Sequence, residues 1–314
     1  MRVLIDENIP YLKDALEQVA TVIPMKPEEI TPTAVHNADA LLVRTRTKIN
    51  RDLLEGSSVQ FIATATIGYD HIDTQYCEKA GIQWVSCPGC NAQAVCDYVE
   101  EVLNHFEAKG TLGVIGVGHI GSLVAKMAAG KGMKVLLNDP PKGIGVTIDE
   151  IERNCDFITF HTPLTYSPNP NRTYHLCDTD FLTHCKSEAV IINAARGGIV
   201  DEYALLKSGH RCAIDCWENE PDVNKELLLS PRTILASYHI AGYSLEGKLN
   251  ASQMCLDAFC KHFGLPALVI EKKLLLLQAE TKGDSKKGWL KRISDTFKAN
   301  PNSFEQLRKQ YKLR

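Results

Sequence analysis

Three polar residues follow a glycine run in a fixed order. The run is Gly116-Val-Gly118-His119-Ile120-Gly121, and after it come Arg196 in Asn193-Ala-Ala-Arg-Gly-Gly, Glu220 in Trp217-Glu-Asn-Glu-Pro and His239 in Ser237-Tyr-His-Ile-Ala-Gly. A guanidinium in a glycine-rich turn can clamp a carboxylate with two prongs, which an ammonium cannot copy. A carboxylate beside an imidazole fixes the ring tautomer and favours the charged ring, giving a general acid and base for work near neutral pH. Together the types suit removal of a hydride and a proton from a carboxylate-bearing molecule. A lone histidine is more often structural than catalytic, and spacing alone leaves open whether the three converge.

The glycine pattern is weak by itself, but its surroundings fit. Leu112 to Ile115 reads as a strand, and Gly121 to Ala129 can open a helix. The glycines permit a tight turn and close approach of backbone to a pyrophosphate, with the free N–H groups of a helix start behind it. Asp139 ends the next apolar strand, eighteen residues after Gly121. A carboxylate there accepts from ribose hydroxyls and repels a 2′-phosphate, so NAD is expected over NADP; Lys142 nearby argues the other way.

Apolar strands must hold these residues at their ends. In the first ninety residues Arg2 to Ile5, Ala38 to Val43, Val59 to Ala65 and Ile82 to Val85 read as strands. Pro10 to Val19 and His71 to Ala80 have helical spacing, the second closed by Gly81. Ala92 to Phe106 is a long helix. A second series of strands runs through Leu112 to Ile115, Val135 to Asn138, Phe157 to Phe160, Ala189 to Asn193, Cys212 to Asp215 and Thr233 to Ser237. So many strands spaced by helices predict a doubly wound parallel sheet, which binds ligands at the carboxyl edge. Ser244 to Phe263 is a helix able to return to the first series. The expected division is a substrate domain over 1–90 completed by 243–265, a cofactor domain over 91–242, and a basic tail over 266–314. The tail holds twelve Lys or Arg against five Asp or Glu. It reads as a helical appendage with a solvated basic face, or as an arm for a partner.

The net charge of −3 carries no general attraction to nucleic acid or membrane. The start reads as a strand rather than a signal core, and the tail's longest apolar run, Leu274 to Leu277, is far too short to span a bilayer. Eleven scattered cysteines give no disulfide framework, which fits a reduced cytoplasmic protein. Cys87-Pro-Gly-Cys90 has redox spacing but reads as a structural turn. His184, Cys185, Cys212 and Cys216 lack paired zinc spacing, so no metal is expected. If Val43 to Ile49 is extended, Arg44, Arg46 and Lys48 share one face at period two. Such a face suits a phosphate dianion; it equally suits a charged, exposed strand edge.

At these motifs the chain resembles the D-isomer-specific 2-hydroxyacid dehydrogenase family, over most of residues 1–263. The resemblance implies an α/β protein with a flavodoxin-like substrate domain and a Rossmann NAD-binding domain. It implies oxidation of a 2-hydroxy acid to a 2-oxo acid by NAD, and a homodimer. It implies that His239 takes the hydroxyl proton, that Glu220 supports it and that Arg196 holds the substrate carboxylate. Asp215 is then near the nicotinamide, with Thr162, Ala194 and Gly242 lining the cofactor. Val3-Leu-Ile-Asp-Glu-Asn-Ile-Pro, Val43-Arg-Thr-Arg-Thr-Lys-Ile-Asn, Ala63-Thr-Ala-Thr-Ile-Gly-Tyr-Asp-His, Cys87-Pro-Gly-Cys-Asn-Ala, Asn138-Asp-Pro-Pro, Phe160-His-Thr-Pro-Leu and His239-Ile-Ala-Gly-Tyr-Ser-Leu-Glu-Gly-Lys are similar to the branch acting on 4-phospho-D-erythronate in pyridoxal phosphate synthesis. That likeness implies substrate contacts at Thr45, Thr66 and Tyr243. The alternatives are another 2-hydroxy acid, such as 3-phosphoglycerate, or a NAD-binding regulator without turnover. The chain departs from the family in short stretches before Leu112 and Asp215, in Tyr238 where proline is usual, and in a tail unlike the family's C-terminal dimerisation domain.

Overall fold

A computed structural model describes residues 1–271 and 288–313. The run Leu274–Leu277 therefore lies outside the described residues, as does part of the basic tail. In chain order the elements are β1 (Arg2–Asp6), α1 (Leu12–Leu16), β2 (Thr21–Met25), α2 (Pro32–Val35), β3 (Ala40–Val43), α3 (Arg51–Leu54), β4 (Phe61–Thr64), α4 (Thr74–Lys79), β5 (Gln83–Val85) and α5 (Ala92–His105). Then follow β6 (Thr111–Ile115), α6 (His119–Gly130), β7 (Lys134–Asp139), β8 (Ile144–Gly145), α7 (Ile148–Asn154), β9 (Phe157–Phe160), α8 (Thr179–His184), β10 (Val190–Asn193), α9 (Glu202–Ser208) and β11 (Arg211–Ile214). The last are α10 (Lys225–Leu229), β12 (Thr233–Ala236), α11 (Leu245–His262), α12 (Trp289–Ala299) and α13 (Phe304–Gln310).

The described chain forms two compact units, residues 1–91 with 244–271, and residues 92–243 with 288–313. The first holds a parallel sheet of order β2-β1-β3-β4-β5, the flavodoxin-like order. β3 and β4 are buried along their whole length, as strands covered on both faces must be. Phe61 and Ala63 pack with Leu249, Leu256 and Phe259 of α11, so this helix belongs to the first unit's core. Ser244 caps α11 by accepting from the Gly247 N–H at 3.0 Å.

The second unit holds a sheet of order β12-β11-β10-β9-β6-β7-β8, parallel except for β8. The order reverses between β6 and β9, which makes the switch-point crevice of a Rossmann sheet. α12 and α13 pack onto this unit: Trp289, Leu290, Ile293, Phe297 and Phe304 join its core. The two described helices of the tail are thus amphipathic, with their apolar faces buried in this unit, while residues 266–271 belong to the first unit. Among the described residues no helix is long and apolar enough to cross a membrane.

One expectation fails here. Residues Val43 to Ile49 are not an extended strand. β3 ends at Val43, and the chain turns back, the Thr47 N–H donating to the Arg44 carbonyl at 3.2 Å. The ladder to β4 closes with the Ala65 N–H on the Val43 carbonyl, so nothing holds the chain straight beyond it. Arg44, Arg46 and Lys48 therefore do not form a period-two row.

Candidate active site

The glycine run turns the chain from β6 into α6. Gly116 has φ 90°, and a Cβ there would stand 2.7 Å from the His161 carbonyl. A Cβ on Gly121 would stand 1.9 Å from the Gly116 carbonyl. A Cβ on Gly118, the N-cap of α6, would meet nothing within 4 Å. Two of the glycines thus allow backbone to pack on backbone, and the third leaves the helix start open. His119 is exposed at that start, and Ile120 packs inward. Across the crevice, at the end of β9, the Thr162 hydroxyl and His161 Nδ1 are buried with no hydrogen-bond partner. Burial pushes the His161 ring down to about 3, so it is neutral. Open N–H groups, a backbone cradle and unpaired polar atoms fit a bound dinucleotide.

Asp139 ends β7 on the same edge and accepts from the Val117 N–H at 2.8 Å. This ties the carboxylate to the glycine turn. Lys142 donates to the Val117 carbonyl at 2.7 Å and lies 3.4 Å from Asp139. The lysine that argued for NADP is engaged with this turn and its carboxylate.

His239 and Glu220 form a direct pair. His239 Nδ1 is 2.7 Å from Glu220 Oε2, and the other Glu220 oxygen accepts from the Trp217 N–H at 2.8 Å. With Nδ1 held, Nε2 is the ring nitrogen left for a ligand. His239 has φ 59°, uncommon for a residue with a side chain. Asp215 explains how the turn persists. Its buried carboxylate accepts from the N–H groups of Ile240 and Ala241 at 2.8 and 2.9 Å and from the Ser237 hydroxyl at 2.7 Å. Its carbonyl accepts from the His239 N–H at 2.9 Å. The structure thus gives Asp215, expected as a cofactor contact, the work of clamping the histidine turn.

Arg196 is exposed on the turn after β10, with Nη1 on the Ala195 carbonyl at 2.7 Å. Gly197 makes this turn fit: a Cβ would stand 1.8 Å from the Trp217 carbonyl. Asn193, which sequence reasoning passed over, binds the Arg196 carbonyl at 3.0 Å and the Cys216 carbonyl at 3.1 Å. It fastens the arginine turn to the loop that carries Glu220. The charge of Arg196 is felt at the Cys216 thiol, and Cys216, Glu220 and His239 offer ligand atoms within 4.8 Å of one another. Burial and then Asp215 push that thiol well above its ordinary value, so it is protonated. Ala194 is buried at the end of β10, and Gly242 follows the histidine turn, which the Tyr243 N–H closes on the Ile240 carbonyl at 2.8 Å.

A further acid–imidazole group supports the same loop. His175 Nε2 lies 2.8 Å from Glu218 Oε1, the Tyr174 hydroxyl donates to that oxygen at 3.0 Å, and the two rings stack at 4.0 Å. Glu202 accepts from the Glu218 N–H at 2.6 Å. Burial, with repulsion from Glu218 and Glu220, pushes the Glu202 carboxyl up to about 7. Only spatial neighbourhood reveals this group; these residues are scattered between 174 and 218.

The remaining expected contacts belong to the first unit. Arg44 and Thr45 lie on the turn after β3, and Thr66 lies just beyond β4, where its hydroxyl pairs with Thr64 at 2.7 Å. His71 reaches the Thr64 hydroxyl at 3.0 Å.

The model of the D-isomer specific 2-hydroxyacid dehydrogenase NAD binding domain matches residues 98–241. The erythronate-4-phosphate dehydrogenase of Bacteroides thetaiotaomicron is 42% identical over 339 aligned residues, covering 100% of this chain and 97% of that protein. That of Cronobacter sakazakii is 39% identical, covering 88% of this chain and 77% of the relative. Among solved structures, the NAD+-bound 3-phosphoglycerate dehydrogenase of Entamoeba histolytica aligns with a TM-score of 0.70 at 23% identity, over 86% of this chain and 99% of that one.

Proposed function

The chain belongs to the erythronate-4-phosphate dehydrogenases, a branch of the D-isomer-specific 2-hydroxyacid dehydrogenase family, and from that membership we propose the reaction and the residues that carry it. The reaction is NAD-dependent oxidation of 4-phospho-D-erythronate to 2-oxo-3-hydroxy-4-phosphobutanoate, a step towards pyridoxal phosphate. The observation that carries it is the 2.7 Å pair of His239 and Glu220, fixed by buried Asp215 beside a dinucleotide crevice.

Bound NAD would supply the acceptor for the hydride on C2 of the substrate. His239 takes the 2-hydroxyl proton on Nε2 as C2 becomes a carbonyl. Glu220 holds Nδ1–H and stabilises the charged ring that results. Arg196 pairs with the C1 carboxylate and draws charge from the reacting carbon. In the reverse direction His239 returns the proton. The second unit binds NAD through Gly116, Gly118, His119, Ile120, Gly121, Asp139, Thr162, Ala194 and Gly242, and Asp215 acts by holding the catalytic turn. The first unit is the substrate domain, with Arg44, Thr45 and Thr66 as contacts alongside Tyr243. The enzyme works in the cytoplasm as a homodimer.

The test is NADH production from 4-phospho-D-erythronate, with 3-phosphoglycerate and unphosphorylated D-erythronate in parallel. The first substrate is expected to give the highest kcat/KM. Preference for 3-phosphoglycerate would move the chain to another reaction, and tight NAD binding without turnover would make it a regulator.

A further inference from the structure

Within the first unit, α11 runs antiparallel to β4. Phe61, at the start of β4, contacts Phe259 and His262 near the end of α11, with ring centroids 6.2 and 5.0 Å apart. From Phe259 back to Lys248 the helix rises about 16 Å, and β4 from Phe61 to Thr64 advances about 10 Å, with Thr66 just past its end. Lys248 is thus carried to the carboxyl edge of the sheet. Hydrogen bonds close the same path: the Cys87 N–H donates to the Thr66 carbonyl at 2.9 Å, and the Cys87 thiol donates to the carbonyl of Ala251, one turn past Lys248, at 3.4 Å. Arg44 follows β3, the neighbour of β4, on this edge.

Lys248 is half-buried in the first turn of an 18-residue helix, where the helix dipole disfavours a cation. Burial and the positive charge of Arg44 both hold its ammonium below the usual lysine range. Among the described residues neither side chain has a hydrogen-bonded or ion-paired partner. The Thr47 hydroxyl, on the turn that carries Arg44, is also unpartnered, in a residue 4% exposed. The one acid of this first turn, Glu246, is exposed and makes no ion pair with either cation among the described residues, so two like charges meet at a helix start in an unfavourable arrangement, which an anion would relieve.

We propose that Arg44, Lys248 and the Thr47 hydroxyl form the subsite for the substrate's phosphate monoester, with Lys248 its specificity-determining cation. The proposal rests on the phosphorylated-substrate reading above and gives that reading its anchor. It also accounts for the glycine before the lysine: a Cβ on Gly247 would stand 3.0 Å from Asn91 Cβ and from Ser244 Oγ, so a small residue seats this first turn closely.

The test uses the full chain and the variants Lys248→Gln and Arg44→Gln, with Lys261→Gln on the exposed last turn of α11 as control. Preference for 4-phospho-D-erythronate over D-erythronate, taken as the ratio of kcat/KM values, is expected to fall about 10- to 100-fold in either subsite variant. The loss should appear in KM, and the control should keep the preference. Inorganic phosphate should raise the Tm of the wild type and of Lys261→Gln, and raise that of Lys248→Gln by less than half as much. An unchanged ratio, or equal protection of all variants by phosphate, overturns the subsite. Should Lys248→Gln fold poorly, Arg44→Gln, on a surface turn, gives the same two readings. A wild type that never oxidises 4-phospho-D-erythronate refutes the proposed function instead, while phosphate protection still decides the subsite.

Discussion

At the scale of residues, the chemistry depends on carboxylates that orient other groups. Glu220 orients His239, Asp215 fixes the turn beneath it, and Asp139 holds the glycine turn. The last of these makes a prediction about the cofactor. Replacing Asp139 by Ser removes the charge that repels a 2′-phosphate and leaves Lys142 unopposed beside it. The ratio of kcat/KM with NADP to that with NAD should rise at least about tenfold, read by steady-state kinetics with each cofactor. Glu202 makes a prediction about pH. Its folded value of about 7 lies above the ordinary 4.5, so the folded state holds the proton more tightly than the unfolded chain does. Its stability contribution is therefore full below about pH 4.5 and is lost as pH rises towards 7. Glu202→Gln keeps an oxygen for the Glu218 N–H and removes the charge. Its melting temperature should match the wild type near pH 4.5 and exceed it above pH 7, by up to about 3 kcal/mol of stability. A constant gap at every pH would rule out this ionisation.

At the scale of elements, the long apolar segments were legible and the short or edge segments were not. The strands of the cofactor sheet and the helices Ala92–His105 and Leu245–His262 follow directly from apolar runs and from a serine cap. β2 escaped because an edge strand needs little apolar character, and it tolerates Pro24. The turn at Arg44 escaped because charge alternation in sequence mimics a strand, while only the end of the ladder at Val43 shows where pairing stops. Asn193, Ser237 and Glu202 were invisible because their work is to join loops far apart in sequence. α12 shows how such joining supports chemistry. Ser294 accepts from the Ala236 N–H at 3.0 Å, and Phe297 meets Trp217 and Tyr238 with ring centroids 6.1 and 5.7 Å away. These two rings flank Glu220 and His239 along the chain. Phe297→Ala should cost about 3–5 kcal/mol in denaturant unfolding. It should also lower kcat at temperatures where the variant is still folded. Lost stability with unchanged kcat would limit α12 to a structural part.

At the scale of the whole molecule, the tail changes meaning. By sequence it looked like a basic appendage in place of a dimerisation domain. In the structure its described helices complete the core of the unit that carries the catalytic pair. The Bacteroides relative is matched over 97% of its length. The buried network of Asn193, Asp215 and Ser237 is the part in which small displacements would be most costly. The motifs therefore point to the chemistry, and the tertiary links hold its residues in place. The central claim is that His239, oriented by Glu220, moves the substrate proton. It is tested most directly by kcat for NADH formation from 4-phospho-D-erythronate in wild type and His239→Ala, with NAD binding and Tm measured on both. The account predicts a loss of about 10²- to 10⁴-fold in kcat with NAD affinity and Tm retained; a variant that keeps wild-type kcat would contradict it.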